Sequence, residues 1–267
     1  MKIIYHFESL KNFNDVSYGY RFLDLLSKNE LIIDKVSDCE PINNEYLINE
    51  FPEMWNAKGH TGMFLFKGHK ANDKSIFKGM VCWNINLQPD SKSINSIDLS
   101  LNLKKGMNID MLLKLGDDIF SWSEPVYGYI TEETNDPQYG VFNQTERKKC
   151  KYPDYILRRG GREKITSKGS IYVSRGNIYD GIPDLMWINY FGKSYVENND
   201  FHLLENSIVL KDGVRLQLTE MLNDLRLAEP DFLESKKISV GLKWFWQNPK
   251  ICDVKVPSFD RSEITIR

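Results

Sequence analysis

Asn95-Ser96-Ile97-Asp98-Leu99-Ser100-Leu101-Asn102-Leu103 alternates without a break. Ile97, Leu99, Leu101 and Leu103 point one way; Asp98, Ser100 and Asn102 point the other. A period of two with one polar face describes an antiparallel strand that is wet on one side. Its apolar side needs a cover, and the flanking sequence supplies amphipathic helices. Downstream, Leu112, Leu115, Ile119 and Trp122 recur at helical spacing, with Asn108 as cap, Asp110 in the first turn and Pro125 as the stop. Upstream, Ser17 is expected to cap a helix running to about Lys28, with Phe22, Leu25 and Leu26 on one face and Asn29 as a left-handed stop.

Strands surround these helices. Lys2–Phe7, Gly62–Phe66, Met80–Asn86 (Val81, Trp83 and Ile85 on one face), Val126–Thr131 and Ser170–Val173 are each rich in β-branched or aromatic residues. Ser207–Leu210 and Val214–Leu218 flank Lys211-Asp212-Gly213, an Asp-Gly hairpin signal. Residues 34–59, polar and broken by Pro41 and Pro52, are assigned little regular structure. A helix is expected to begin at Pro230, and residues 238–246 fit a helix or a strand. The fold class is α+β: largely antiparallel sheets with helices packed on one face. The two halves share a loose order of elements without a residue-level repeat. The expected division is residues 1–133 as the first half, 134–169 as a basic linker or loop and 170–267 as the second half, with one continuous domain as the alternative.

Composition narrows the function classes. The chain has 267 residues, 41% hydrophobic and 27% charged, with a formal net charge of -2. Those are values for a globular protein, without the electrostatic footprint of a general nucleic-acid binder. The exception is local. Nine Lys and Arg against Glu146, Asp154 and Glu163 leave residues 146–168 at about +6, with Tyr152 and Tyr155 interleaved. Cys39, Cys82, Cys150 and Cys252 lie far apart, with no Cys-x-x-Cys spacing, which argues against a zinc ribbon or a small disulfide framework. With no apolar run of membrane-spanning length and no leader-like start, the expected location is cytoplasmic, without a membrane partner.

Candidate chemistry is sparse. His6 and Glu8 share a strand face, so a carboxylate beside an imidazole offers an oriented general base; an ordinary polar strand edge is the simpler reading. His60 and His69, nine residues apart, are too distant for one metal unless the chain folds back. His202 and Glu205 have helical spacing but no companion pair. Asp117-Asp118 and Glu132-Glu133 are neighbours whose side chains diverge. Phosphate loops, Gly-x-Ser-x-Gly and His-Glu-x-x-His are absent. No catalytic residue, metal ligand or cofactor is therefore assigned.

A binding role fits better. Tyr179–Gly192 opens on a Gly/Pro turn signal and packs Leu185, Met186, Trp187, Ile188, Tyr190 and Phe191 into seven positions. Such rings suit a core edge, their commonest place, or a binding surface; in the second case Trp187, Tyr190 and Phe191 are expected as aromatic anchors of a partner surface, and Arg158, Arg159 and Arg162 as its charged part.

Three stretches resemble bacterial polymorphic-toxin immunity proteins of the type VI-associated, immunity protein 52 kind. They are Leu112–Gly116 through Val126–Ile130, with its Tyr127-Gly128; Trp187–Gly192; and the Ser207–Leu218 hairpin. The polar 34–59 stretch and the basic 146–168 insertion depart from that pattern. The resemblance implies an α+β protein without catalysis that binds a cognate toxin and occludes it. Two other readings remain open: a nucleic-acid-binding accessory protein acting through residues 146–168, and a hydrolase assembled around His6 and Glu8.

Overall fold

The computed structural model describes residues 1–55, 61–72, 74–84, 95–103, 108–134, 141–142, 155–158, 161–166, 169–173, 185–197 and 205–222, with isolated positions up to 240. The fold is α+β, and the chain divides into two compact units, Met1–Pro125 and Val126–Ser262.

The first unit contains strands β1 (Lys2–Ser9), β2 (Leu31–Ser37), β3 (Asn44–Glu45), β4 (Thr61–Lys70), β5 (Ile76–Asn84) and β6 (Asn95–Asn102). They pair antiparallel in the order β1-β6-β5-β4-β2-β3. The alternation that opened the reading sets the register. Ile3, Tyr5 and Phe7 stand opposite Leu101, Leu99 and Ile97, and all six are buried on the dry face. His6 stands opposite Asp98 on the other face.

Two long helices, α1 (Val16–Lys28) and α3 (Ile109–Ser123), bury the stripes expected of them: Phe22, Leu25 and Leu26 on α1, and Leu112, Leu115, Ile119 and Trp122 on α3. The Tyr5 hydroxyl donates to the Leu112 carbonyl, which places α3 over the dry face of β1. Asn108 caps α3, its side chain accepting from the Met111 N–H, and Pro125 follows the left-handed Glu124 that ends it.

Both ends of α1 differ from expectation. Asp15 is the cap, two residues before the expected Ser17, and its carboxylate accepts from the Ser17 N–H in the second position of the helix. At the other end Asn29 stays at negative φ, and its side-chain amide donates to the Leu25 carbonyl. The left-handed turn falls on Glu30.

The largest departure lies in residues 34–59. β2 runs on to Ser37, and a 3-10 turn at Ile48–Glu50 leads into a short helix, α2 (Phe51–Trp55). Pro52 lies in the first turn of α2, where its missing N–H costs nothing. Phe51 and Trp55 are both sealed from solvent. The Trp55 ring stacks on Trp83 at 4.6 Å, and its Nε1 donates to the Phe13 carbonyl. Gly19 makes that seat possible. A Cβ at this position of α1 would lie 2.6 Å from the Trp55 ring and 2.7 Å from Phe51.

The second unit carries β7 (Tyr127–Thr134), β8 (Val141–Phe142), β9 (Tyr155–Arg158), β10 (Gly161–Thr166), β11 (Gly169–Val173), β12 (Ile188–Gly192), β13 (Ser207–Leu210) and β14 (Gly213–Gln217). One sheet orders them β13-β14-β12-β7, with β8 parallel beside β7. β9, β10 and β11 form a separate antiparallel meander. The late hairpin is present, with Lys211-Asp212 as its two-residue turn and Leu210 opposite Gly213. Within the stretch read as a basic linker, β9 and β10 are hydrogen-bonded strands. A four-residue helix, α4 (Lys193–Val196), follows β12. Most of residues 223–246, including the Pro230 start, lie outside the described residues. No described helix is long and apolar enough to cross a membrane.

Candidate functional site

Three places were candidates: the His6 pair, the aromatic segment around Trp187, and the charged surfaces. His6 and Glu8 share the second face of β1, as period two requires, and β6 brings Asp98 directly across from His6; that face is covered at Ile4, His6 and Ser100, against the expectation of a wet side. The imidazole is held at both nitrogens, Nδ1 2.9 Å from Asp98 Oδ1 and Nε2 3.3 Å from Glu8 Oε1. His6 is buried, only 7% exposed. Burial alone would push the imidazole down, but the charge and hydrogen bonds of Asp98, and then those of Glu8, outweigh it and carry the pKa up to about 10.

The chemistry follows from that value. At neutral pH the ring is an imidazolium donating two hydrogen bonds, with no lone pair left to accept a proton. A general base needs the neutral ring, with a pKa near the working pH. A buried acid of pKa about 10 is a poor proton donor as well. The arrangement is that of a buried ionic tie between β1 and β6. Asp98 could be anticipated from its place among the polar residues of the Asn95–Leu103 alternation; its partner strand could not.

His69 is paired elsewhere, its Nδ1 2.8 Å from Asp34 Oδ2. His60 and His202 lie outside the described residues, and Glu205 is 3.8 Å from Lys236 Nζ. Among the described residues no three His, Cys, Asp or Glu gather as metal ligands do.

The aromatic anchors are in the interior. Trp187, Tyr190 and Phe191 are each 0% exposed. This corrects the expectation of an outward face. β12 lies between β14 and β7, and all five of its residues are buried, so neither face of the strand meets solvent. The polar atom of Trp187 is spent internally, Nε1 donating to the Thr219 carbonyl. Asn189 braces the entry to the strand. Its Oδ1 accepts from the Met186 N–H and the Tyr127 hydroxyl, while its Nδ2 donates to the Met186 carbonyl. A ring sealed in this way cannot anchor a partner that docks on the free chain. Arg158 ends β9 and Arg162 lies in β10, paired across from Leu157; Arg159 lies outside the described residues.

A surface that sequence reasoning missed lies on the first unit. Tyr20 (45% exposed), Leu47 (49%) and Ile48 (55%) are large apolar residues left in water around α2. Buried Phe51 connects them. The Tyr20 ring is 5.2 Å from it, the Tyr46 ring 6.5 Å, and the Leu47–Ile48 turn runs straight into it. The Tyr46 hydroxyl is cut off from solvent and has no hydrogen-bond partner. Burial, then the neighbouring Tyr20, pushes its pKa up to about 12.

Residues 38–53 also hold Asp38, Glu40, Glu45, Glu50 and Glu53 with no Lys, Arg or His among them. All five are exposed, and none makes an ion pair among the described residues. Glu45 stands opposite Lys35 in the β2–β3 register without closing to a salt bridge. The signal available in the sequence was this run of unopposed acids around Leu47-Ile48.

Comparison with known proteins gives fold-level likeness only. No family model matches the chain, and no curated protein matches it. Among solved structures, the chain is similar to "Pseudomonas aeruginosa T6SS protein PA0821" with a TM-score of 0.53 and 11% identity, over 92% of this chain and 77% of that one. At that identity the likeness is one of fold.

Proposed function

We propose that this chain is a non-catalytic binding protein of the immunity type, acting in the cytoplasm beside a T6SS and neutralising a cognate toxin by occluding it. The observation that carries the reading is the fold likeness, over 92% of the chain, to a protein named for its T6SS association. The state of His6 supports the same direction, because an imidazolium gripped by Asp98 and Glu8 is a structural tie and a poor base. A standard interface buries roughly 1,600 Å² in total, which a folded chain of this size readily offers. Arg158, Arg159 and Arg162 are proposed to add a charged part of the contact.

Co-expression with the toxic product of the adjoining gene tests the reading. Restored growth and a complex that survives gel filtration are expected. Persistent killing with no complex would overturn it. Steeply salt-dependent binding to a single-stranded oligonucleotide, lost on charge reversal of Arg158, Arg159 and Arg162, would point instead to a nucleic-acid partner.

A further inference from the structure

We infer that the face of the first unit made by Tyr20, Leu47 and Ile48, with Glu45, Glu50 and Glu53 about it, is a docking surface for a protein whose contacting face is cationic. The inference rests on the binding role proposed above and specifies which surface is used and what chemistry meets it.

The apolar part comes first. The Tyr20 ring lies against buried Phe51, and half-exposed Leu47 and Ile48 belong to the turn that leads into that residue; single exposed apolar residues are ordinary where a group of them is not. Their positions are fixed from below. Phe51 and Trp55 lock α2 against Gly19 of α1 and the Trp83 ring, so the Leu47–Ile48 turn is held on a rigid base. A partner that covers the patch removes apolar area from water at little ordering cost.

The acids decide what that partner is. Glu45, Glu50 and Glu53 are exposed and lack ion pairs among the described residues; residues 38–53 contain no base, and Lys35, across from Glu45, forms no salt bridge with it. A second copy of this chain docked by the same face would set these acids against one another. Nucleic acid and an anionic membrane would be repelled in the same way. A protein face bearing Lys and Arg gains on both counts: its charges are attracted from a distance, and its apolar atoms seat on Leu47 and Ile48.

The test uses the full chain and the purified toxic product of the adjoining gene, with affinity measured by titration calorimetry. The triple change Glu45→Lys, Glu50→Lys, Glu53→Lys is expected to weaken binding roughly 100-fold. Ile48→Ser should weaken it about tenfold. Raising NaCl from about 50 to about 500 mM should weaken the unaltered complex about tenfold. Lys78→Glu, exposed on β5 away from α2, should bind as the unaltered chain does. If the reversed chain does not fold by circular dichroism, the Glu45→Gln, Glu50→Gln, Glu53→Gln chain replaces it, with the same direction expected. A complex that forms but ignores both the charge changes and Ile48→Ser overturns this surface and leaves the binding role standing. No complex with the unaltered chain overturns the binding role and this surface together.

Discussion

Two stretches dense in large side chains, one in each unit, have opposite fates. Leu185–Gly192 is buried from end to end, whereas residues 46–55 split, Phe51 and Trp55 inside and Leu47 and Ile48 outside. The first is a strand flanked by β14 and β7, so alternate residues face opposite ways and both ways are covered. The second is a 3-10 turn running into a five-residue helix, where side chains fan out around an axis and only one stripe meets the core. Aromatic density therefore marked a core, and large apolar side chains stayed in water where they were interspersed with acids.

The sharpest way to break that contrast is Trp187→Ala. Emptying the volume of a fully buried indole should cost about 3–5 kcal/mol of stability, read as a lower urea midpoint. A loss under about 1 kcal/mol would mean the ring is not part of the second unit's core, and its role as an anchor would reopen.

His6→Gln is expected to have the next largest effect. Removing the cation leaves Asp98 and Glu8 facing each other, a destabilisation of about 3 kcal/mol at pH 6. The pH dependence has a definite sign. The folded pKa of about 10 lies above the ordinary 6.5, so the stabilisation is complete below 6.5 and fades as pH rises through 10. The gap in melting temperature between the two chains should thus narrow from pH 6 to pH 9.5. A gap that widened would show that the ring is neutral in the folded chain and free to act as a base.

The smallest effect belongs to the other side of the comparison. The Leu47→Ser, Ile48→Ser chain should keep its stability to within about 0.5 kcal/mol, because both side chains are already half in water. A large loss of stability would make them core residues and remove the patch.

The helices and the central strands were legible because their patterns are local. Leu112, Leu115, Ile119 and Trp122 state a helix face without reference to any other segment, and the Asp212-Gly213 hairpin needs only its own two strands. The same holds for His6 beside Glu8. What was not legible depended on contacts far away along the chain. α2 is too short to display a period, and it is held in place by Phe13, Gly19 and Trp83 from three other elements. The Asp98 partner of His6 lies 92 residues downstream.

By itself, then, the sequence determined the α+β class, which residues of the central strands share a face, the two long helices and the late hairpin. Only tertiary structure decided that His6 is a charged tie and not a base, that the Trp187 rings point inward, and that Leu47 and Ile48 remain outside. The reason is physical. Periodicity tells which side chains share a face, whereas burial and charge state depend on what covers that face, and the cover comes from elsewhere in the chain.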